Sequence, residues 1–318
     1  MNSFPELQHP HARLLNETVP IEYFIKEVLK YPVKDATELH KITTLIRTAE
    51  ADLSNFKKTS QTLAFENERH PNYRSNASRL ELRKLIVKEL LEKKRLENDD
   101  KLSLGKGGAL PMTEVRYLSQ AYLLIGLPAS GKSQIANLVA DKYGAIIVDS
   151  DFVKRKLPEY RSPSGATLVH SESSAIIFGD TAVDMGDFEP LIDNCLKRKA
   201  NIVIPKVGQD YKSIIDFTKN LKERNYQVHL TLICLDKVHA TSRALTRLIK
   251  SRRYVPLSLI FDGFGNEPIL TFYKLFSGLH CDKDLFCSYG KISTAVQIGQ
   301  NPKVIYADED NPASIFKE

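Results

Sequence analysis

The stretch Gly126-Leu127-Pro128-Ala129-Ser130-Gly131-Lys132-Ser133 leaves few folds open to the chain that carries it. Its spacing is G-x-x-x-x-G-K-S, with the apolar run Ala121 to Ile125 before it and the helix-compatible Gln134 to Lys142 after it. Strand, loop and helix in that order are the setting in which this pattern cradles a polyphosphate. The glycines let the backbone wrap the ligand, and the first N–H groups of the helix point at it. Lys132 is expected to neutralise the terminal phosphate oxygens and the Ser133 hydroxyl to ligate Mg²⁺.

The pattern downstream agrees. Strand candidates are Ala121 to Ile125, Ala145 to Val148, Asn201 to Ile204, Gln227 to Leu235 and Lys303 to Tyr306, with helices near 132–142, 186–199, 211–224 and 237–250. Such alternation predicts an α/β domain over 116–318, a mostly parallel sheet with helices on both faces and ligands at the carboxyl ends of the strands. Residues 1–115 are expected to be helical. Ile21, Phe24, Ile25, Val28 and Leu29 recur at helical spacing up to Pro32, and Asp35 to Glu38 has the form of a capping box before Leu39, Ile42, Leu45 and Ile46. A third helix follows from about Ser78, with Leu80, Leu82, Leu85, Ile86, Leu90 and Leu91 expected inside and its Lys/Glu-rich remainder solvated. Three such helices suggest a small bundle, and the polar, glycine-rich Asn98 to Gly108 reads as a linker.

The 318 residues carry a net charge of +6, a mild bias that suits a polyanionic small ligand. No arginine-rich run with interleaved aromatics argues for nucleic acid, no apolar run is long enough to span a bilayer, and the first residues lack the form of a signal peptide. A cytoplasmic protein is expected. Cys195, Cys234, Cys281 and Cys287 have no C-x-x-C spacing and read as free buried thiols; His280 beside Cys281 lacks further ligands for a zinc site.

After the cradle helix, Ala145-Ile-Ile-Val-Asp149-Ser-Asp151 reads as a strand ending in two carboxylates. Strand alternation would point both the same way, towards the phosphates, one near Mg²⁺ and one near an acceptor hydroxyl. Either can instead cap a helix from Phe152. An acid on the very next strand favours transfer to a bound hydroxyl over hydrolysis. Arg243 and Arg247 lie four apart on one helical face, with Arg252 and Arg253 at its end, as a lid over donor phosphates requires. The polar segment Gly165 to Ser174, with His170 and Glu172, is expected to be a solvated loop.

From residue 119 to about 260 the chain resembles the zeta toxin family, the bacterial kinases of epsilon/zeta toxin–antitoxin systems. The residues that carry the resemblance are Gly126 to Ser133, Val148 to Phe152, Phe188-Glu189-Pro-Leu-Ile192, Asn201 to Ile204 with Gly208, Leu245-Thr-Arg247 and Arg253-Tyr-Val-Pro256. The resemblance implies ATP-dependent, Mg²⁺-assisted phosphorylation of the 3′-hydroxyl of the amino sugar in UDP-N-acetylglucosamine. It makes Asp151 the base, Lys132, Arg247 and Arg253 the charge-holding groups, and Glu189 a sugar contact. Asp149 and Lys206 are taken as further substrate contacts. Pro205-Lys206-Val207-Gly208 departs from the family's Glu-Gly-Thr-Gly-like turn, and the interval from Arg247 to Arg253 is short. Another acceptor, such as the ribose of NAD, therefore stays open, as does a nucleotide-dependent interaction protein. By the same resemblance, the partner is a separate antitoxin or the chain's own helical region acting as an intramolecular inhibitor; an ordinary helical extension is the other reading.

Overall fold

The computed structural model describes residues 12–54, 61–162, 165–180, 183, 185–278, 283–297 and 299–317. Its frame is a six-stranded sheet. In chain order the strands are β1 (Gln120–Ile125), β2 (Ile146–Ile147), β3 (Ile202–Lys206), β4 (Gln227–Cys234), β5 (Ser288–Ser293) and β6 (Lys303–Ala307), arranged β2-β3-β1-β4-β5-β6. All neighbours run parallel except β5 and β6. β1 is inside on every side chain from Ala121 to Ile125, as a strand covered on both faces must be. The chain leaves β1 for β2 on one side and later returns to β4 on the other, so the direction of winding reverses at β1. Its carboxyl end is thus the crevice where such sheets bind ligands.

The helices are α1 (Thr18–Tyr23, continued by a π-helical turn to Val28), α2 (Ala36–Ser54), α3 (Asn76–Glu92), α4 (Lys132–Tyr143), α5 (Ser150–Lys156), α6 (Gly165–Leu168), α7 (His170–Phe178), α8 (Leu191–Lys197), α9 (Tyr211–Glu223), α10 (Lys237–Ser251) and α11 (Glu267–Phe276). No described helix is long and apolar enough to cross a membrane.

The helical region does not form a bundle of its own. Leu82, Ile86, Val87 and Leu90 of α3 share a buried cluster with the sheet strands, whereas Ile21, Phe24, Ile25, Leu39, Ile42 and Ile46 of α1 and α2 join a second cluster. That second cluster contains Leu127 of the phosphate loop and Ala240, Ala244, Leu245 and Leu248 of α10. The reason for the split is chemical. The inner face of α3 carries Arg79, Arg83 and Glu89, all buried, which an apolar bundle cannot accommodate. Arg79 bonds Glu172 at 2.5 and 2.8 Å and Glu159 at 2.7 and 3.2 Å, and Arg83 bonds Glu172 at 2.7 Å. The partly polar stripe is therefore the glue between α3 and α7, not a solvated face.

Residues 98–108 are folded rather than a loose tether. Leu102 and Ala109 are buried, and the Lys156 ammonium holds Glu89 at 2.7 Å and the carbonyls of Ser103 and Gly107 at 3.1 and 2.7 Å. A side chain at Gly108 would collide with the carbonyl of Lys93 at 2.1 Å, so the chain must have glycine there.

β5 has no counterpart among the expected strands because only one of its three inward residues, Ile292, is a large apolar side chain, the others being Ser288 and Gly290. Asn311 supplies the missing packing. Its amide donates to the Leu230 carbonyl and Ser288 Oγ, both at 3.1 Å, and its oxygen accepts from Thr231 at 2.9 Å.

Candidate active site

The phosphate loop leaves β1 at Gly126, where a Cβ would stand 2.5 Å from the Ile233 carbonyl, so only glycine fits between the strands. Ala129 (φ 62°) and Gly131 (φ 91°) turn the backbone left-handed, and α4 begins at Lys132 with its N–H groups facing the loop's concavity. Leu127 and Ala129 rest on the second core beneath the loop. Lys132 folds over the loop and donates to the carbonyls of Gly126 at 2.7 Å and Leu127 at 2.6 Å. Burial lowers its pKa to about 8, against the opposing pull of Asp149 and Asp151. Ser133 is exposed in the first turn of α4.

Asp149 and Asp151 lie close together, but not by strand alternation. β2 ends at Ile147, Asp149 is the N-cap of α5, and its carboxylate accepts the N–H of Asp151 at 2.9 Å. Asp151 is the second residue of α5. Its carboxylate receives Lys154 at 2.9 Å and Arg253 at 2.6 Å. Burial opposes ionisation of Asp151, yet the charges of Lys154, Arg253 and Arg155 outweigh it and hold the carboxyl far below its ordinary range. Asp149 moves the other way: burial and the charge of Asp151 both raise it.

The arginines converge on an acid that the sequence did not single out. Oδ1 of Asp100 accepts from Arg155 and Arg253 at 3.3 Å each and from Arg247 at 3.5 Å. Arg155 also donates to the backbone carbonyl of Asp151 at 3.2 Å. Burial, and next the charge of Arg253, lower the pKa of Arg247, a sign of cations crowded at one place. The signal for Arg155 was present as a residue four after Asp151 on the same helix face. Asp100 had none, because its partners lie 55 to 153 positions away.

The acceptor-side residues stand apart. Glu189, before α8, ion-pairs with Lys197 rather than with the arginines around Asp151. Lys206 ends β3 beside Ile125 in register, its ammonium between the rings of Phe178 and Phe217 at 4.4 and 4.5 Å. Burial lowers it to about 8. The next residue, Val207, accepts the Gly126 N–H at 3.1 Å, which ties the departing turn to the phosphate loop. The segment expected to be a solvated loop is helical: Glu172 of α7 is fully buried on Arg79 and Arg83. His170, at the start of α7, is pushed down to about 4, by burial first and then by the charge of Lys154, with Asp151 opposing. Of the cysteines, Cys195 is buried, but Cys287 is exposed; residues 279–282, with His280 and Cys281, lie outside the described residues.

A cavity of about 450 Å³ lies on the other flank, lined by His239, Arg243, Ala295, Val296, Gln297 and Gln300. Thr294 joins it to the phosphate loop, donating to the Ser130 carbonyl at 2.7 Å while its own carbonyl accepts Arg243 at 2.6 Å.

Among the described residues no cluster of three or more His, Cys, Asp or Glu side chains could hold a metal ion. A magnesium ion bound with a nucleotide asks for less. It takes one or two protein oxygens and fills its shell with water and phosphate. Ser133, exposed beside Lys132, and Asp149, a half-buried carboxylate whose charge acts on Lys132, fit that donor set.

Residues 116–266 match the family model for zeta toxins. No curated protein matches the chain. Among solved structures, the PezAT chromosomal toxin–antitoxin system of Streptococcus pneumoniae aligns over 64% of this chain and 79% of that one, with 14% identity and a TM-score of 0.47. The AvrRxo1-ORF1:-ORF2 structure with ATP covers 86% of this chain and 71% of that one at 18% identity and a TM-score of 0.42. A gluconokinase from Sinorhizobium meliloti covers 57% and 86% at 13% identity and a TM-score of 0.30. Residues 116–266, with their phosphate loop and mostly parallel sheet, are thus similar to the zeta toxin family and form a domain of the P-loop kinase type.

Proposed function

We propose that the protein transfers the γ-phosphoryl group of ATP to a sugar hydroxyl of a nucleotide-type acceptor, with UDP-N-acetylglucosamine and its 3′-hydroxyl as the first candidate. The observation that carries this reading is the meeting of Asp151 with Arg253 at 2.6 Å, in a place where Asp151 also acts on the charge of Lys132. A carboxylate for the acceptor's proton and cations for the transferring group are the two parts that phosphoryl transfer needs side by side.

In this reading Gly126 to Ser133 wrap the triphosphate, and the cavity between Arg243 and Gln300 takes the base. Magnesium, held by Ser133 and Asp149, neutralises phosphate charge when bound. The acceptor oxygen attacks the γ-phosphorus in line, the bond to the β–γ bridging oxygen breaks, and the hydroxyl proton passes to Asp151. Lys132, Arg247 and Arg253 hold the charge that spreads over the phosphoryl oxygens and the leaving ADP. Asp151 is ion-paired to Arg253, which suppresses its basicity; when Arg253 turns to the phosphate, the carboxylate is free to accept the proton.

Glu189 and Lys206 are assigned to the acceptor. Lys206 supports the second reading, an acceptor with additional phosphate such as NAD, since a desolvated ammonium held by rings gains most from an anion. Incubating the full-length protein with Mg²⁺ and ATP labelled at the γ-phosphate, and with UDP-N-acetylglucosamine or NAD separately, decides between them. Label in the sugar nucleotide supports the first, label in NAD the second. ATP binding with label in neither supports a nucleotide-dependent interaction protein. As in the zeta systems, the partner in that role is a separate antitoxin or the chain's own residues 1–115.

A further inference from the structure

Three guanidinium groups on one oxygen is an arrangement that needs an anion to persist. Arg155 comes from α5, Arg247 from α10 and Arg253 from the turn after it, and like charges this close repel. The anion present is a side chain of the same protein. Asp100 reaches Arg155 and Arg253 at 3.3 Å and Arg247 at 3.5 Å while keeping 59% of its side chain exposed. It thus enters from the solvent side and leaves without exposing apolar surface.

The turn that carries it is held in place. Asn98 accepts the Asp100 N–H at 2.9 Å, and Asp99 accepts the amide of Asn137 on α4 at 3.3 and 3.4 Å, so the turn lies against the phosphate-loop helix. Leu102 is buried immediately after it, and Lys156 secures the carbonyls of Ser103 and Gly107. A carboxylate on so short a tether presents itself to the arginines at a high effective concentration. It brings one charge and two oxygens, where a terminal phosphate brings more of both.

We propose that Arg155, Arg247 and Arg253 form one anion site that takes either the Asp100 carboxylate or the terminal phosphate of a nucleoside triphosphate, so that Asp100 is an internal competitor for the nucleotide and Arg155 a third phosphate-gripping residue. The proposal rests on the phosphoryl-transfer reading for its ligand, but its test is one of binding. Exchange has a second effect: Arg253 is shared between Asp100 and Asp151, so a phosphate that draws it away from one frees the other.

The test uses the full-length protein, with ATP and inorganic tripolyphosphate titrated by calorimetry. Asp100→Asn and Asp100→Ala are each expected to tighten tripolyphosphate and ATP binding on the order of tenfold, the worth of a few exposed ion pairs. Asp99→Asn, which keeps an oxygen for Asn137 and breaks no ion pair with the three arginines, is expected to stay within about twofold, and Arg155→Ala to weaken binding on the order of tenfold. Melting temperatures accompany each variant. A merely structural role for Asp100 predicts weaker binding in its variants, not tighter. Unchanged or weakened affinity in both Asp100 variants overturns the proposal, as does a protein that binds tripolyphosphate in no form. Tighter ATP binding with no label transferred to any acceptor leaves the competition standing and refutes only the kinase reading.

Discussion

Lys206, assigned to the acceptor in the proposed reading, is the residue whose replacement tests acceptor identity. Its ammonium has two aromatic rings and, among the described residues, no carboxylate within ion-pair distance. If it receives an anionic group of the acceptor, Lys206→Met raises the acceptor KM at least about tenfold and leaves the ATP KM within about twofold. Steady-state kinetics with each substrate varied in turn checks this; an equal change in both constants removes Lys206 from the acceptor site. At this scale the sequence was most legible where a backbone shape needs particular residues. Gly126 and Gly131 are demanded by a close strand and a left-handed turn, and both are visible in the spacing. Asp149 and Asp151 were legible as a pair, though the geometry that joins them is a helix cap rather than a pleat. Asp100 and Arg155 were not legible as partners, because an ion pair between positions 55 residues apart leaves no local pattern.

At the scale of elements, α7 shows what polarity alone cannot tell. Its Ser- and Glu-containing stretch reads as solvated, yet Glu172 is buried because α3 brings Arg79 and Arg83 to it. Replacing Glu172 by Ala leaves the buried Arg83 guanidinium without its carboxylate and Arg79 with Glu159 alone, and is expected to cost roughly 3–5 kcal/mol, read as a lower denaturant midpoint in chemical unfolding. The pH dependence has a definite sign. Burial raises the Glu172 pKa, but the Arg79 hydrogen bond and the charges of Arg79 and Arg83 lower it further, from 4.5 to about 2. A carboxyl lowered on folding stabilises the native state above pH 4.5 and loses that contribution as the pH falls towards 2. Wild type is expected to lose stability over that window more steeply than Glu172→Gln, by equilibrium unfolding at a series of pH values. β5 escaped the sequence for the complementary reason: its inward face is Ser288, Gly290 and Ile292, and the alternation that marks a strand is completed by Asn311 from another segment.

For the whole molecule, the order of β1 to β4 was readable because parallel strands covered on both faces are continuous apolar runs, whereas β5, α6, α7 and α11 were not. The placement of the helical region was not. Apolar spacing says that α1, α2 and α3 each bury a face, not against what. In the folded chain α3 is built into the core of the sheet, and α1 and α2 support the phosphate loop through Leu127. Removal of residues 1–115 is therefore expected to yield an insoluble or unfolded product, with Glu172 and the sheet-side cluster uncovered, and circular dichroism and solubility of the 116–318 fragment check it. A soluble, folded fragment would show that the helical region is separable after all. Truncation is for this reason a poor probe of inhibition, and the Asp100 variants a good one.

Asp151 is the proposed recipient of the acceptor's proton, and Asp151→Asn in the full-length protein tests that role most directly. ATP affinity and phosphoryl transfer are measured on the same preparation, by calorimetry and by γ-phosphate label in the acceptor. The expected result is an ATP Kd within a few-fold of wild type and transfer reduced by about 10² to 10⁴. A variant that binds ATP and keeps most of its turnover would contradict it.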